Sequence, residues 1–227
     1  KRVIKAVVFD LDDTLYPERD YVFSGFDVVG ATLEERYGIQ NAGQRLKELF
    51  LQDRKNVYGR ILDESGVSYS QKDIEDISAI YRGHKPVLSL PCRSETVLTQ
   101  LREKGYKLGI ITDGRDYQQR AKIAALRVEN FVDAIIVTDE LGGEQMRKPN
   151  PVAFVEMAKM LNVAVEETVY VGDNPNKDFA VKKFLPIKTV EVKGDGVYAF
   201  SQYRDGILPD VSVDDIREVA GAIEKLS

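Results

Sequence analysis

Five short runs of apolar, mostly β-branched residues predict β-strands that are buried on both faces. They are residues 3–11, 107–112, 133–138, 168–172 and 187–192. Patterns typical of helices separate the last four runs. They cover residues 93–105, 116–128 and 150–163, the last with Asn150 as N-cap and Pro151 at the first helical position. Strands that alternate with helices connect by right-handed crossovers, so the pattern predicts an α/β fold with a doubly wound, parallel, Rossmann-like sheet.

The segment between the first and second predicted strands does not follow this alternation. It contains helical patterns only, at residues 24–38, 42–66 and 70–83, with Gly38, Gly66 and Gly83 as the stops. A stretch of this length is more than one crossover needs. We therefore predict two domains. They are a Rossmann-like catalytic core of residues 1–15 and 92–227, and an inserted helical cap domain of residues 16–91.

Three aspartates, Asp10, Asp12 and Asp13, come at the end of the first predicted strand, within four positions of one another. Like charges this close repel each other, and a bound cation would supply the missing counter-charge. In open α/β sheets, ligands bind outside the carboxyl ends of the strands, so the residues that follow the other strands are candidates for the same site. These residues are Thr112, Lys148, Asp173 and Asp178.

The four motifs resemble, in their order and spacing, those of the haloacid dehalogenase-like hydrolase superfamily. The family pattern is DxDx[TV], then a Thr or Ser after the second strand, then a Lys, then an acidic motif of the GDxxxxD type. Residues 10–14, Thr112, Lys148 and residues 172–178 match these four elements. The resemblance spans residues 3–193, and the inserted helices stand where the family carries its type 1 cap. It implies the phosphatase branch of the family.

The residue types fit a phosphoryl transfer that proceeds in two steps. Asp10 is the predicted nucleophile, which would displace an alkoxide and become an aspartyl phosphate. Asp12, two residues on and on the same side of an extended backbone, is the predicted acid for the leaving group and then the base for the attacking water. Thr112 and Lys148 are the predicted catalytic and substrate-binding groups for the phosphate oxygens.

The predicted cofactor is Mg²⁺, which prefers oxygen ligands and keeps several waters. Carboxylates of Asp10 and Asp173, a main-chain carbonyl and a phosphate oxygen would suit it, and the resemblance implies that the carbonyl is that of Asp12. Asp178 matches the second acidic position of the fourth motif. We expect it to be an outer-shell metal ligand or to orient Lys148.

Several functions share these features. A dehalogenase also uses an aspartate nucleophile but attacks carbon, and it needs neither a metal nor the acid at Asp12, which favours phosphorus as the target here. Sugar phosphomutases retain the second aspartate and stay open as an alternative. Outside the enzymes, a phospho-accepting receiver-like domain or a catalytically silent binding protein remains an alternative. The preferred prediction is a Mg²⁺-dependent phosphomonoesterase for a small soluble ester of the sugar phosphate or nucleotide class.

Other polar and aromatic residues are assigned structural roles. Asp13 is expected in a turn, and Thr14 is expected to hold the loop by local hydrogen bonds. His84 is predicted to be a surface or linker histidine, and Cys92 a small buried residue or a bystander. Four aromatic side chains are predicted in the core of the cap: Tyr16, Tyr21, Phe23 and Phe26.

Composition adds few further constraints. The chain has 227 residues, 43% hydrophobic and 30% charged, as in ordinary globular proteins. Its net charge is −5 and it has no dense Lys/Arg block, so nucleic acid is not an expected partner. The apolar runs are too short to span a membrane, and the amino-terminal run reaches Asp10 too early for a signal peptide. One cysteine allows no internal disulfide, which favours the reducing cytoplasm. No pattern indicates an oligomeric state.

Overall fold

The computed structural model of the protein describes residues 3–226, and the chain divides into two compact units. The first unit, the core unit, comprises Lys1–Glu18 and Ser89–Ser227, and the second, the cap unit, is Arg19–Leu88. Residues 1, 2 and 227, which the sequence prediction assigned to the core, lie outside the described residues. In the described chain the units therefore change at Glu18 and Ser89, a few residues from the predicted boundaries.

Within residues 3–226 the sheet has six parallel strands in the order β3-β2-β1-β4-β5-β6. The strands are β1 (Ala6–Phe9), β2 (Lys107–Thr112), β3 (Ala134–Val137), β4 (Thr168–Gly172), β5 (Lys188–Val192) and β6 (Val211–Val213). The parallel α/β sheet predicted from the sequence is confirmed. The first strand is shorter than predicted, and β6 was not predicted because three residues are too few to produce an apolar run.

The α-helices of the same residues are α1 (Glu18–Tyr37), α2 (Ala42–Gln52), α3 (Val57–Glu64), α4 (Gln71–Gly83), α5 (Cys92–Glu103), α6 (Asp116–Leu126), α7 (Val152–Met160) and α8 (Val219–Leu226). Helix α7 begins after Pro151, and the Asn150 Oδ1 atom accepts the backbone N–H of Val152 at 3.0 Å. The predicted cap at Asn150 is therefore displaced by one position, within the usual spread of helix boundaries.

The cap unit contains its own apolar core, formed by side chains of α1 to α4 that include Phe26, Leu33, Leu46 and Ile61. The helix predicted at residues 42–66 is wrong as one element, because the chain leaves α2 at Asp53 and starts α3 after Asn56 in a left-handed conformation with φ 47°. Gly38 and Gly66 end their helices at φ 68° and 67°, where a side chain would be strained.

Two structural predictions for single residues are wrong in part, although His84 does lie in the linker that follows α4. His84 is not a surface residue: it is 7% exposed, its Nδ1 atom lies 2.5 Å from the carbonyl oxygen of Tyr81, and its ring packs 4.9 Å from that of Tyr21. Cys92 is exposed rather than buried, because it is the first residue of α5 and the buried face of that helix starts at Ser94. Neither residue can be placed by composition alone.

No helix among residues 3–226 combines the length and apolar content needed to cross a membrane.

The sheet order reverses around β1, which pairs with β2 on one side and β4 on the other. The register brings Phe9 opposite Ile110 and Val171, so the carboxyl ends of the three strands are level. A crevice at such a reversal is where open α/β sheets bind ligands. The predicted motif residues follow these strands, and the fold therefore brings them to one edge.

Candidate active site

Asp10 and Asp173 lie at the carboxyl ends of the adjacent strands β1 and β4. The N–H of Asp10 donates to the Val171 carbonyl at 2.9 Å, so the strand ladder continues to the first residue of the motif. Both aspartates are almost fully buried, at 8% and 5% exposure. The sheet itself therefore fixes the backbone on which these two carboxylates stand.

Asp10, Asp173 and Asp178 form a cluster in which each residue offers a carboxylate oxygen within 4.8 Å of the others. Asp178 is fully buried, and its Oδ2 atom accepts the N–H of Asn174 at 2.9 Å. A Cβ atom at Gly172 would lie 2.3 Å from this same oxygen, so the end of β4 approaches Asp178 more closely than any residue with a side chain would allow.

Lys148 is the cation beside this cluster, and it is buried, with 4% of its surface exposed. Its ammonium nitrogen lies 3.0 Å from Asp10 Oδ1, 2.9 Å from Asp178 Oδ1 and 2.7 Å from the hydroxyl oxygen of Tyr170. Burial alone would lower the pKa of Lys148, but the two carboxylates raise it well above its ordinary value. Lys148 is therefore a fixed positive charge that donates hydrogen bonds to Asp178 and Tyr170 and forms an ion pair with Asp10.

One lysine does not balance three buried carboxylates. Burial, with the charges of Asp178 and Asp12, raises the pKa of Asp10 to about 8 even though Lys148 opposes the change. Burial, with the charges of Asp10 and Asp178, raises the pKa of Asp173 to about 9. Carboxylates that resist ionisation in this way fit a divalent cation with oxygen ligands, which would replace the protons.

Asp12 occupies a different environment, although it is only two residues from Asp10. Its Oδ1 atom accepts the hydroxyl of Tyr16 at 2.6 Å and the ammonium group of Lys122 at 2.9 Å. Its Oδ2 atom accepts an N–H of Gln119 at 2.9 Å. Burial would raise the pKa of Asp12, but Lys122 and these hydrogen bonds together lower it. The two aspartates of the first motif thus have opposite pKa shifts.

Thr112 ends β2 and is fully buried. Its Oγ1 atom accepts a hydrogen bond at 2.6 Å from Gln119 Nε2, the same amide nitrogen that donates to Asp12. The residue after it, Asp113, accepts the Thr138 hydroxyl at 3.0 Å and the backbone N–H of Lys148 at 3.1 Å, and its second oxygen lies 3.3 Å from the ammonium of Lys177. Asp113 therefore joins the second and third motifs.

The motif residues surround a cavity of about 130 Å³ in the core unit. Its lining is almost entirely polar: Asp10, Asp12, Asp13, Glu18, Asp113, Lys148, Asp173, Asn174, Lys177 and Tyr198. A cavity with charged walls suits a small, highly charged group rather than an apolar one. The cavity is lined by Asp10, Asp12, Lys148 and Asp173 among the predicted site residues. Thr112 and Asp178 do not line it and are buried next to residues that do.

Sequence reasoning missed several side chains of this site. Thr14 does not bond locally as predicted, because its hydroxyl donates to Asp173 Oδ1 at 2.9 Å across the sheet. Tyr170 looked like an ordinary strand residue. The sequence offers one signal for Gln119 and Lys122. Their spacing places them on the same face of α6 as Ile123, which is buried. Asp13 does form a turn, at φ 58°, as expected.

Comparisons with known proteins identify the family of the chain. The sequence model of the haloacid dehalogenase-like hydrolases matches residues 7–192. A glyceraldehyde 3-phosphate phosphatase from Methanopyrus kandleri is 30% identical over 99% of both chains, and one from Methanocaldococcus jannaschii is 28% identical over 99% of both. A crystal structure of a haloacid dehalogenase-type phosphatase from Thermococcus onnurineus has a TM-score of 0.60 at 24% identity, covering 97% of this chain and 98% of that one, which shows the shared fold.

Proposed function

Because the chain belongs to the haloacid dehalogenase-like hydrolase family, we propose that it is a Mg²⁺-dependent phosphomonoesterase that hydrolyses a small phosphate ester through an aspartyl phosphate on Asp10. The observation that carries this proposal is the contrast between the two aspartates of the first motif. Asp10 lies beside Lys148 in the three-carboxylate cluster, whereas Asp12 is held outside that cluster by three hydrogen-bond donors. A nucleophile and a separate acid need this division.

In the first half-reaction a carboxylate oxygen of Asp10 attacks phosphorus, and the bond from phosphorus to the ester oxygen breaks. Lys148 lies next to the nucleophile and supplies positive charge for the phosphate oxygens, since its ammonium can exchange a carboxylate partner for the substrate. The leaving alkoxide takes a proton from Asp12, which must bind that proton together with the substrate, because its pKa is lowered in the free protein. The products of this step are an alcohol and a phosphate group covalently bound to Asp10.

In the second half-reaction water attacks the phosphorus of the aspartyl phosphate. Asp12, now ionised, accepts a proton from this water, and the bond from phosphorus to Asp10 breaks. Inorganic phosphate leaves, and both aspartates return to their starting protonation states. One residue therefore serves as acid and then as base.

The carboxylates of Asp10 and Asp173 and the main-chain carbonyl of Asp12 are the proposed metal ligands, with Asp178 next to them as an outer-shell residue. When bound, Mg²⁺ would offset the negative charge shared by these carboxylates and the phosphate oxygens. Asp178 would also hold Lys148 in place, since it lies 2.9 Å from the ammonium nitrogen. Thr14 would orient Asp173 by the hydrogen bond that it donates.

The substrate class is supported by the relatives and by the cavity. The curated relatives named above are phosphatases of glyceraldehyde 3-phosphate, and the cavity in the core unit is polar and small. We propose a soluble phosphomonoester in the size range of sugar phosphates, with residues 16–91 acting as a cap that selects it. A dehalogenase would not require the Asp12 environment or the acidic cluster.

The test is hydrolysis of phenyl phosphate and of a panel of sugar phosphates, measured as released inorganic phosphate. We expect turnover with Mg²⁺ and none in excess EDTA. Asp10→Asn should abolish turnover while keeping the circular dichroism spectrum of the parent, because an amide is not a competent nucleophile. Activity that persists in EDTA or in Asp10→Asn would refute the assignment, and transfer of phosphate between sugar positions without release would identify a mutase instead.

A further inference from the structure

Two polar side chains of helix α6 are buried although they belong to none of the four motifs. Gln119 is 3% exposed and Lys122 is 4% exposed. A buried ammonium group loses its hydration, so a lysine in such a position needs a compensating partner. Both residues donate to Asp12. This arrangement points to a role in the reaction that is separate from the motifs.

The contacts fix the Asp12 carboxylate from two directions. Lys122 lies 2.9 Å from Oδ1, which also accepts the Tyr16 hydroxyl, and the Gln119 amide donates to Oδ2. The amide nitrogen of Gln119 is itself held by Thr112, at 2.6 Å from Oγ1. A carboxylate has about four acceptor positions, so these three donors leave one, on Oδ2.

Neither Gln119 nor Lys122 lines the cavity, whereas Asp12 does. They would therefore act on a substrate in this cavity through Asp12. Lys122 also lies 3.4 Å from Glu18, a cavity residue, so its ammonium group has two carboxylate neighbours that hold it in place. The side chain of Lys122 is 5% exposed against 18% for that of Asp12, which places the cation behind the acid as seen from the cavity.

We propose that Lys122 and Gln119 are positioning residues that hold Asp12 so that its Oδ2 atom exchanges the proton with the leaving-group oxygen. The inference rests on the proposed phosphatase function and adds residues outside its motifs. Free rotation of the Asp12 side chain would turn Oδ2 away from this task, and a misplacement of about 1 Å can cost a rate of the order of 10²-fold. The two donors prevent that rotation.

A purely structural role makes a different prediction. If Lys122 only stabilised the packing of α6, its loss would lower the rate with every substrate equally. If it positions the acid, the loss must depend on how much the leaving group needs a proton. The dinitrophenolate ion leaves without protonation, whereas phenolate and alkoxides need it. The ratio kcat/KM reports the phosphoryl transfer to Asp10 and excludes the later water step.

The experiment measures kcat/KM of the full chain with Mg²⁺ for phenyl phosphate and for 2,4-dinitrophenyl phosphate. For Lys122→Met we expect a loss of about 10²-fold with phenyl phosphate and of less than about threefold with the dinitrophenyl ester. Lys122→Arg, which keeps a cation that can donate to Asp12, should recover most of the phenyl phosphate activity. Arg120→Met is the matched control, because Arg120 lies on the same helix and pairs with the exposed Glu140 at 2.7 Å; it should leave both values unchanged.

Equal losses with the two esters in Lys122→Met would overturn the proposal. If that variant does not fold by circular dichroism, Gln119→Met decides the matter, since it removes an uncharged donor to Asp12 and should show the same dependence on the leaving group. Equal losses in that variant would likewise overturn it. A parent that hydrolyses neither ester would refute the phosphatase function itself, which is a different result.

Discussion

Removal of Mg²⁺ should make the folded state lose stability as the pH rises. Burial and neighbouring carboxylates raise the pKa of Asp10 to about 8 and that of Asp173 to about 9, from an ordinary value of 3.8. At neutral pH the metal-free native state therefore retains protons that the unfolded chain has lost. Stability from such groups is complete below their unfolded pKa and disappears as the pH rises through the folded pKa, so the window runs from about pH 4 to about pH 8 for Asp10 and to about pH 9 for Asp173.

The size of the effect follows from the number of retained protons. Each proton corresponds to about 1.4 kcal/mol in the free energy of unfolding for every pH unit. Asp10 and Asp173 repel each other's charge, so we count one proton for the pair, which gives a loss of about 3 kcal/mol between pH 5 and pH 7. Mg²⁺ would displace that proton and remove this part of the pH dependence.

The assay is urea unfolding followed by circular dichroism between pH 5 and pH 7, with EDTA and with Mg²⁺ at equal ionic strength. Glu18, whose pKa is raised to about 7 chiefly by the charge of Asp12 and then by burial, adds a dependence of the same sign in both series. The difference between the two series therefore isolates the cluster. Asp173→Asn should reduce this difference, and Asp205→Asn, at an exposed ion pair with Lys183, should not. Parallel pH profiles with and without Mg²⁺ would refute the reasoning.

Three further substitutions test other parts of the site. Asp12→Asn should lower kcat/KM for phenyl phosphate by about 10²- to 10⁴-fold, measured as released phosphate, and a parent-like value would contradict its acid role. Gly172→Ala brings a methyl group to 2.3 Å from Asp178 Oδ2, so we expect the Mg²⁺ concentration for half-maximal activity to rise about tenfold or more, whereas an unchanged Mg²⁺ titration would contradict the placement of Asp178. Thr14→Val removes the donor that lowers the pKa of Asp173, so Mg²⁺ activation should require a higher pH, and Thr14→Ser should restore the parent profile.

The parts of the fold that were predictable are those with a strong local pattern. Strands β1 to β5 are apolar runs that end in polar residues, and this pattern can be read from the local sequence without knowledge of the tertiary packing. Strand β6 was not predicted because Val211–Val213 has only three residues, one of them polar, and its pairing with β5 is a tertiary effect. The break between α2 and α3 was not predicted because helical patterns continue on both sides of it. Asn56, in a left-handed conformation, marks the interruption.

The candidate site shows a similar division between what is local and what depends on packing. The motifs identify the chemical groups, because Asp10 and Asp12 follow a strand, and Lys148 precedes a helix, that the sequence reveals. They do not reveal why two aspartates that are two residues apart should behave differently. That difference comes from Lys122 and Gln119, which are more than 100 residues away along the chain and reach Asp12 only because α6 packs against the end of β1. The two aspartates have nearly the same sequence context, and it is the polar residues on one face of α6 that give them different environments. A polar residue on the otherwise buried face of such a helix is therefore the signal to look for in other sequences.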